Sequence, residues 1–133
     1  MNLEGTDKKI GDKNNLTCLV TGASGATGTF AVQFAKRCGY HVIGTCGDEE
    51  KKKMLIEKLQ CDRVVNYKVE DLGTVLKKEY PKGIDLVYEG VGGQMFDTCV
   101  KNLAKFGHLI IIGSISDYKN DSETQRTKTV PIQ

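Results

Sequence analysis

LVTGASGATGTFAVQFAK, from Leu19 to Lys36, reads as a short apolar strand, a turn carrying Gly22, Gly25 and Gly28, and a helix that starts near Ala26. Phe30, Ala31, Phe34 and Ala35 recur at helical spacing and mark the apolar face of that helix. A turn of this kind offers anion chemistry. The first amides of a helix have no intrahelical partner and sit at the positive end of its dipole, so a phosphate placed there gains hydrogen bonds and a favourable field together. In the GxGxxG register Gly25 and Gly28 occupy the second and third places, where close approach of a pyrophosphate and tight helix packing are needed, and Ala23 stands in the first. The match is partial, and the same pattern suits an ordinary strand-to-helix turn, so the rest of the chain has to decide.

Working outward, apolar runs alternate with amphipathic stretches. Strands are expected at Thr17 to Thr21, His41 to Cys46, Arg63 to Tyr67, Ile84 to Gly90 and His108 to Gly113. Helices are expected from Ala26 to about Cys38, from Glu49 with Met54, Leu55 and Leu59 inward, from Glu70 to Tyr80, and from Gln94 to Lys105 with Met95, Phe96, Cys99 and Leu103 inward. Apolar strands separated by helices predict an α/β fold, a doubly wound parallel sheet of about five strands covered on both faces. Residues 1–15 read as a polar leader, 16–116 as the folded domain, and 117–133 as a polar, exposed or disordered tail.

Composition narrows the function. The chain has 133 residues, 39% hydrophobic and 27% charged, as in one globular domain. It contains no apolar run of membrane-spanning length and no apolar signal segment in MNLEGTDKK, so no membrane partner and an intracellular location are expected. The net charge of +2 comes from lysines interleaved with acids, which argues against nucleic acid as a partner. Five scattered cysteines with no CxxC pair indicate reduced thiols, and His41 and His108 have no neighbouring ligand spacing, so no metal site is expected.

In a doubly wound sheet the ligand lies across the carboxyl ends of the strands, which directs attention to the turns. An NAD-specific site usually carries an acid at the end of the second strand, about 20 residues past the glycines. Cys46 and Gly47 stand there instead, and Lys51 and Lys52 follow, with the hydroxyl of Tyr67 beyond the third strand. Positive charge and donors suit a 2′-phosphate, so NADP(H) is the expected cofactor. YEGVGG, Tyr88 to Gly93, lets backbone pass close to a flat ring, and GSIS, Gly113 to Ser116, offers hydrogen bonds to a carboxamide. Glu89 is read as a capping or supporting carboxylate, and no catalytic residue is assigned.

VTGASGATGTFAVQFAK, VIGTCGDEEK, CDRVVNYK, GTVLKKEYPKGIDLVYEGVGG and GHLIIIGSIS, in this order and spacing, resemble the cofactor domain of the medium-chain dehydrogenase/reductase superfamily, in its zinc-free quinone oxidoreductase-like branch that includes the prostaglandin reductases. The resemblance covers Leu16 to Tyr118. It implies a Rossmann-type domain and NADPH-dependent reduction of the double bond of α,β-unsaturated ketones, with a small-molecule enone or quinone, including keto-prostaglandins, as substrate. Carried over by position, it implies pyrophosphate contacts at Gly25, Ala26, Thr27 and Gly28, 2′-phosphate contacts at Gly47, Tyr67 and Lys51 or Lys52, and nicotinamide contacts at Gly90, Val91, Gly113 and Ser116. Relatives tend to have Ser in place of Gly47. They also carry a GroES-like catalytic domain and a closing strand beside the fifth, so this chain is expected to be a fragment, inactive by itself, with an incomplete sheet whose apolar HLIIIG edge pairs with a second copy as a homodimer. A cytoplasmic or organellar location, peroxisomal included, is implied too.

Two rivals remain at this point. TGASGATG also suits an atypical short-chain dehydrogenase, although no tyrosine here is followed by lysine in the Tyr-x-x-x-Lys arrangement that class normally uses. A non-catalytic module that senses NADPH would need the same turns.

Overall fold

A computed structural model describes residues 16–112 and 128–131. The elements in chain order are β1 (Thr17–Val20), α1 (Ala26–Arg37), β2 (His41–Cys46), α2 (Glu49–Glu57), β3 (Arg63–Asn66), α3 (Leu72–Glu79), β4 (Ile84–Glu89), α4 (Gly93–Lys101), β5 (Leu103–Ile111) and β6 (Lys128–Pro131). They form one sheet in the order β3-β2-β1-β4-β5-β6. The first five strands are parallel, as expected, and β6 runs antiparallel to β5.

Both faces of the sheet are covered, and the alternation of side chains along each strand divides the core in two. Cys18, Val20, Val42 and Val64 pack with Val32 and Ala35 of α1 and Leu55 of α2. Leu19, Ile43, Val65, Val87 and Leu109 pack on the opposite face with Leu72, Val75 and Leu76 of α3 and Cys99 of α4. Leu19, Ile43, Leu76, Ile84 and Leu109 are wholly removed from solvent. At roughly 2 kcal/mol for each large aliphatic side chain, this burial dominates the stabilisation of the sheet.

Four expectations need correction. On α1 the inward face is Gly28, Ala31, Val32 and Ala35, whereas Phe30 and Phe34 are 72% and 57% exposed. Small residues let the helix axis approach the sheet, and each phenylalanine lies about 100° around the axis from the alanine after it. The third helix begins at Leu72, not Glu70, because Asp71 caps it by accepting from the amide and hydroxyl of Thr74 at 2.9 and 2.8 Å. Glu70 is drawn instead to Arg63, which bridges it and Glu79 at 3.0 and 2.8 Å. Those bonds hold both carboxyls below the usual range and the guanidinium above its own.

The fourth helix ends at Lys101 and β5 starts at Leu103, five residues before the expected His108. Ile84 pairs with Leu103 and Leu86 with His108, so β5 carries an irregular insertion opposite two residues of β4. Phe106 adopts a left-handed φ of 68° there, and a Cβ on Gly107 would lie 2.8 Å from the Ile84 carbonyl oxygen. Finally, β5 does not present an open edge. His108 to Ile111 pair with Pro131 to Lys128 of β6, within the stretch expected to be a tail. Thr129 and Val130 are β-branched residues that favour strands, but four residues are too few to show a period. Pairing satisfies the β5 backbone within the chain, which removes the reason given for edge-to-edge dimerisation through β5.

Candidate functional site

The strand order reverses between β1 and β4, because β2 and β3 lie on one side of β1 and β4 and β5 on the other. The crevice outside the carboxyl ends of two such strands is where open α/β sheets hold ligands. Four of the sequence-predicted positions, Gly25, Ala26, Thr27 and Gly28, stand together beside it at the start of α1.

The glycine turn is locked from below. The Gly22 amide donates to Thr45 Oγ1 at 3.1 Å, the Ala23 amide to the Thr45 carbonyl at 3.0 Å, and the Gly25 amide to the Gly22 carbonyl at 3.1 Å. Gly22, with φ of 61°, makes the left-handed turn that the fingerprint register had put at Ala23, which is instead wholly buried. Gly28 is required by packing, since a Cβ there would lie 2.1 Å from the Gly22 carbonyl oxygen. Gly25 differs: its added Cβ would meet nothing nearer than 3.6 Å, so its open side faces outward.

Gly25 is the N-cap of α1 and provides no side-chain cap, and the first turn carries no acid. The first intrahelical bond runs from the Thr29 amide to the Gly25 carbonyl at 2.9 Å, so the amides of Ala26, Thr27 and Gly28 precede the hydrogen-bond ladder. Residues 25–27 are exposed. The local chemistry is that of an anion cradle. By contrast α2 is capped by Asp48, which accepts from the Lys51 amide at 2.8 Å, and has Glu49 and Glu50 in its first turn.

Across the switch point, β4 ends in Glu89, which is fully buried. Its carboxylate accepts from the Thr21 hydroxyl at 2.9 Å, the Val91 amide at 3.1 Å and the Gly92 amide at 2.9 Å. The Thr21 hydroxyl in turn accepts from the Gly90 amide at 2.9 Å. Gly92, at φ 86° and ψ −173°, takes a conformation open only to glycine. The 90–92 loop is thus pinned to the end of β1, and Val91 Cγ2 lies 3.4 Å from the position of a Gly22 Cβ. Gly90 and Val91 therefore adjoin the glycine turn, as their assignment to one ligand requires. Gly113 and Ser116 lie outside the described residues.

The remaining predicted residues gather beyond β2 and β3. The Tyr67 amide donates to the Cys46 carbonyl at 3.1 Å, and the Tyr67 hydroxyl lies 2.8 Å from where a Gly47 Cβ would be. A side chain added at Gly47 would therefore displace that phenol, which is 46% exposed. Lys51 Nζ stands 3.9 Å from Asp48 Oδ2, while Asn66 Nδ2 donates to Glu49 Oε2 at 2.6 Å. Two of the acids beside the lysines are therefore engaged within the chain. Lys52 is half-buried.

Sequence reasoning passed over Thr21 and Thr45, the two threonines that tie the turns to the sheet. Their signal was a polar residue within or ending an apolar strand, and both are buried. The four buried thiols offer no chemistry here. Burial pushes Cys18 up to about 12 and Cys61 up to about 11, and raises Cys46 and Cys99, so these four remain protonated near neutrality. Among the described residues no three His, Cys, Asp or Glu side chains are grouped to hold a metal ion, and none of the helices is long and apolar enough to cross a membrane.

Comparison with known proteins agrees with this geometry. A family model described as zinc-binding dehydrogenase matches residues 26–130. Prostaglandin reductase-3 from Bos taurus is 55% identical over 117 residues, covering 86% of this chain and 31% of that protein. A probable quinone oxidoreductase from Leishmania amazonensis is 48% identical over 109 residues, covering 81% of this chain and 32% of that protein. The crystal structure of Escherichia coli quinone oxidoreductase complexed with NADPH superposes with a TM-score of 0.67 at 31% identity, over 75% of this chain and 31% of that one. CurA from Vibrio vulnificus, in complex with NADPH, gives 0.70 at 28% identity over 92% of this chain and 40% of that one. The chain thus spans about a third of the length of the curated relatives it matches. The zinc in the family's description finds no ligand set among the described residues. With its strand order, its glycine turn at the switch point and these matches, the chain belongs to the zinc-binding dehydrogenase family, in the quinone oxidoreductase-like branch of the medium-chain dehydrogenase/reductase superfamily.

Proposed function

We propose that the carboxyl edge of this sheet is an NADP(H) site, and that the chain is the cofactor-binding unit of an oxidoreductase that reduces the double bond of α,β-unsaturated ketones of keto-prostaglandin or quinone type by direct hydride transfer. The observation that carries this reading is the uncapped, acid-free start of α1, floored by Gly22 and Gly28 and bordered by Val91 at the point where strand order reverses. The cradle fits a pyrophosphate, because residues 25–27 are exposed, the amides of Ala26, Thr27 and Gly28 precede the helical hydrogen-bond ladder, and Gly25 leaves its open side clear.

When bound, the dinucleotide supplies a hydride from its nicotinamide ring. In this assignment the amides of Ala26, Thr27 and Gly28 donate to the pyrophosphate. Lys51 or Lys52 and the Tyr67 hydroxyl hold the 2′-phosphate beside Gly47, and Gly90, Val91, Gly113 and Ser116 serve the nicotinamide end. Holding the enone and stabilising its enolate are assigned to the whole protein, and the chain by itself binds cofactor without turning substrate over. The activities named for the prostaglandin reductase and quinone oxidoreductases it resembles support the substrate class.

Thermal denaturation of the chain with NADP and with NAD tests the reading. Stabilisation by NADP is expected to exceed that by NAD, and Lys51→Ala with Lys52→Ala should weaken NADP affinity about tenfold while leaving NAD unchanged. Equal stabilisation by the two cofactors would remove the 2′-phosphate assignment, and no stabilisation by either would remove the site.

A further inference from the structure

At the opposite edge of the sheet, where β4 and β5 begin and α3 and α4 end, lies a cavity of about 360 Å³. The six residues of β4 separate it from the cofactor turns by about 17 Å. Its walls are set by the fold. The Gly83 amide donates to the Tyr80 carbonyl at 2.9 Å, closing a turn through Pro81 and Lys82, and the Ile84 amide donates to the Asn102 carbonyl at 2.9 Å. Gly83, at φ 93°, presses that turn onto the start of β5, since a Cβ there would lie 2.5 Å from the Ala104 Cα. The Tyr80 hydroxyl is hydrogen-bonded to His41 Nε2 at 2.7 Å, and Asn102 Nδ2 donates to the Thr98 carbonyl at 2.9 Å.

Lys77, Lys82 and Lys101 line this cavity, and none of its described lining residues is acidic. All three lysines are exposed, and among the described residues none has a carboxylate within ion-pair distance. Glu79, two residues past Lys77, is held by Arg63 at 2.8 Å. Lys77 and Lys101 stand in the last turns of α3 and α4, where a cation complements the helix dipole. Lys82 belongs to neither helix, so the dipoles do not account for its place. We propose that the cavity is a second binding site, separate from the cofactor edge, for a small organic polyanion. Ammonium groups act as point charges and select for charge more than for planar shape, so phosphate esters and polycarboxylates share the chemistry required. Each exposed pair contributes little, which favours a ligand that reaches several lysines at once over a simple monovalent anion. The volume suits a small organic ligand, and the half-buried Tyr80 and Leu103 offer its carbon skeleton an apolar surface.

Amide chemical shifts of the 133-residue chain, titrated separately with inorganic pyrophosphate and with citrate in the presence of NADP, test the proposal. The amides of Gly83, Asn102 and Leu103 report the cavity, and those of Gly25 and Thr27 report the glycine turn. Saturable shifts are expected at the first set with at least one of the two probes; pyrophosphate alone would assign the phosphate class, and citrate alone the polycarboxylates. Lys82→Ala should weaken that binding about threefold, and Lys82→Ala with Lys101→Ala about tenfold, while shifts at Gly25 and Thr27 on adding NADP stay the same. Shifts at the cavity that grow without saturating for both probes, or affinities that are equal in the unaltered chain and the double variant, overturn the proposal and leave Lys77 and Lys101 to the helix dipoles. Should the double variant not fold, Lys82→Ala decides, because its side chain lies in an exposed turn outside both helices. Failure of NADP to shift Gly25 or Thr27 would count against the cofactor reading and leave the cavity's result unaffected.

Discussion

The two ends of the candidate site are made of different material. The proposed pyrophosphate end is written in backbone: Gly22 turns left-handed, Gly28 seats the helix on the Gly22 carbonyl, and the amides of residues 26–28 precede the helical hydrogen-bond ladder. The 2′-phosphate end is written in side chains, with Lys51 and Tyr67 exposed at the rim and only Gly47 contributing empty space. Backbone geometry held by a packed core is rigid and general to any pyrophosphate. Lysine and tyrosine side chains exposed at a rim are held by fewer contacts, and in the proposed site they are what would distinguish one cofactor from another. The difference teaches that a glycine can be required by the protein or by its ligand, and adding one methyl group separates the two cases.

Gly28→Ala should have the largest effect. Its Cβ would lie 2.1 Å from a backbone oxygen and 2.8 Å from the Ala23 Cα, neither of which can rotate away. Alanine's better helix propensity offsets about 1 kcal/mol, so a net loss of about 3 kcal/mol is expected in chemical denaturation. A variant as stable as the parent would show that the turn is pliable, and the contrast between the two ends would collapse.

Gly25→Ala should separate stability from binding. Its φ of −81° suits alanine, and no atom of the protein lies closer than 3.6 Å to the added carbon, so stability should change by no more than about 1 kcal/mol, the cost of a poorer N-cap. The methyl group occupies the open side of the cradle, and NADP affinity measured by calorimetry should fall about tenfold. Unaltered affinity would place the pyrophosphate elsewhere.

Gly47→Ala should have the smallest effect on stability. The new Cβ meets the Tyr67 hydroxyl at 2.8 Å, but that side chain is 46% exposed and swings into solvent at a cost of about 0.5 kcal/mol. Because the phenol leaves the corner, NADP affinity should fall by a few-fold while NAD affinity stays the same. A loss of stability as large as that of Gly28→Ala would mean that the side-chain end is as rigid as the backbone end.

The order of the five parallel strands and four helices was legible in the sequence, because fully buried strands must be apolar runs and their connecting helices must be amphipathic. Helix faces were less legible. Phe30 and Phe34 look like core residues by hydropathy, yet Ala31 and Ala35 hold the inward positions, because a close approach of α1 to the sheet rewards small side chains. The boundary at Leu103 was hidden because residues 103–106 carry no strand period, and their place in β5 follows from the bulge opposite β4. At the site, the glycines and the missing acid after β2 were visible as patterns. The threonines under the turns were not, since a lone buried hydroxyl shows its purpose only through its partner.

Sequence alone determined the parallel α/β class, the glycine turn after the first strand and the residue types offered to a dinucleotide, since each depends on local spacing and chemistry. Tertiary structure decided which glycine turns the chain, which one seats the helix and which one stays open, because those roles depend on atoms 23 residues away at Thr45 and across β1 at Val91. It also decided that Glu89 is buried and tied to Thr21, 68 residues earlier in the chain, and that β6 closes the edge of β5. Long-range pairings of this kind carry no local period, and only the folded sheet brings their partners together.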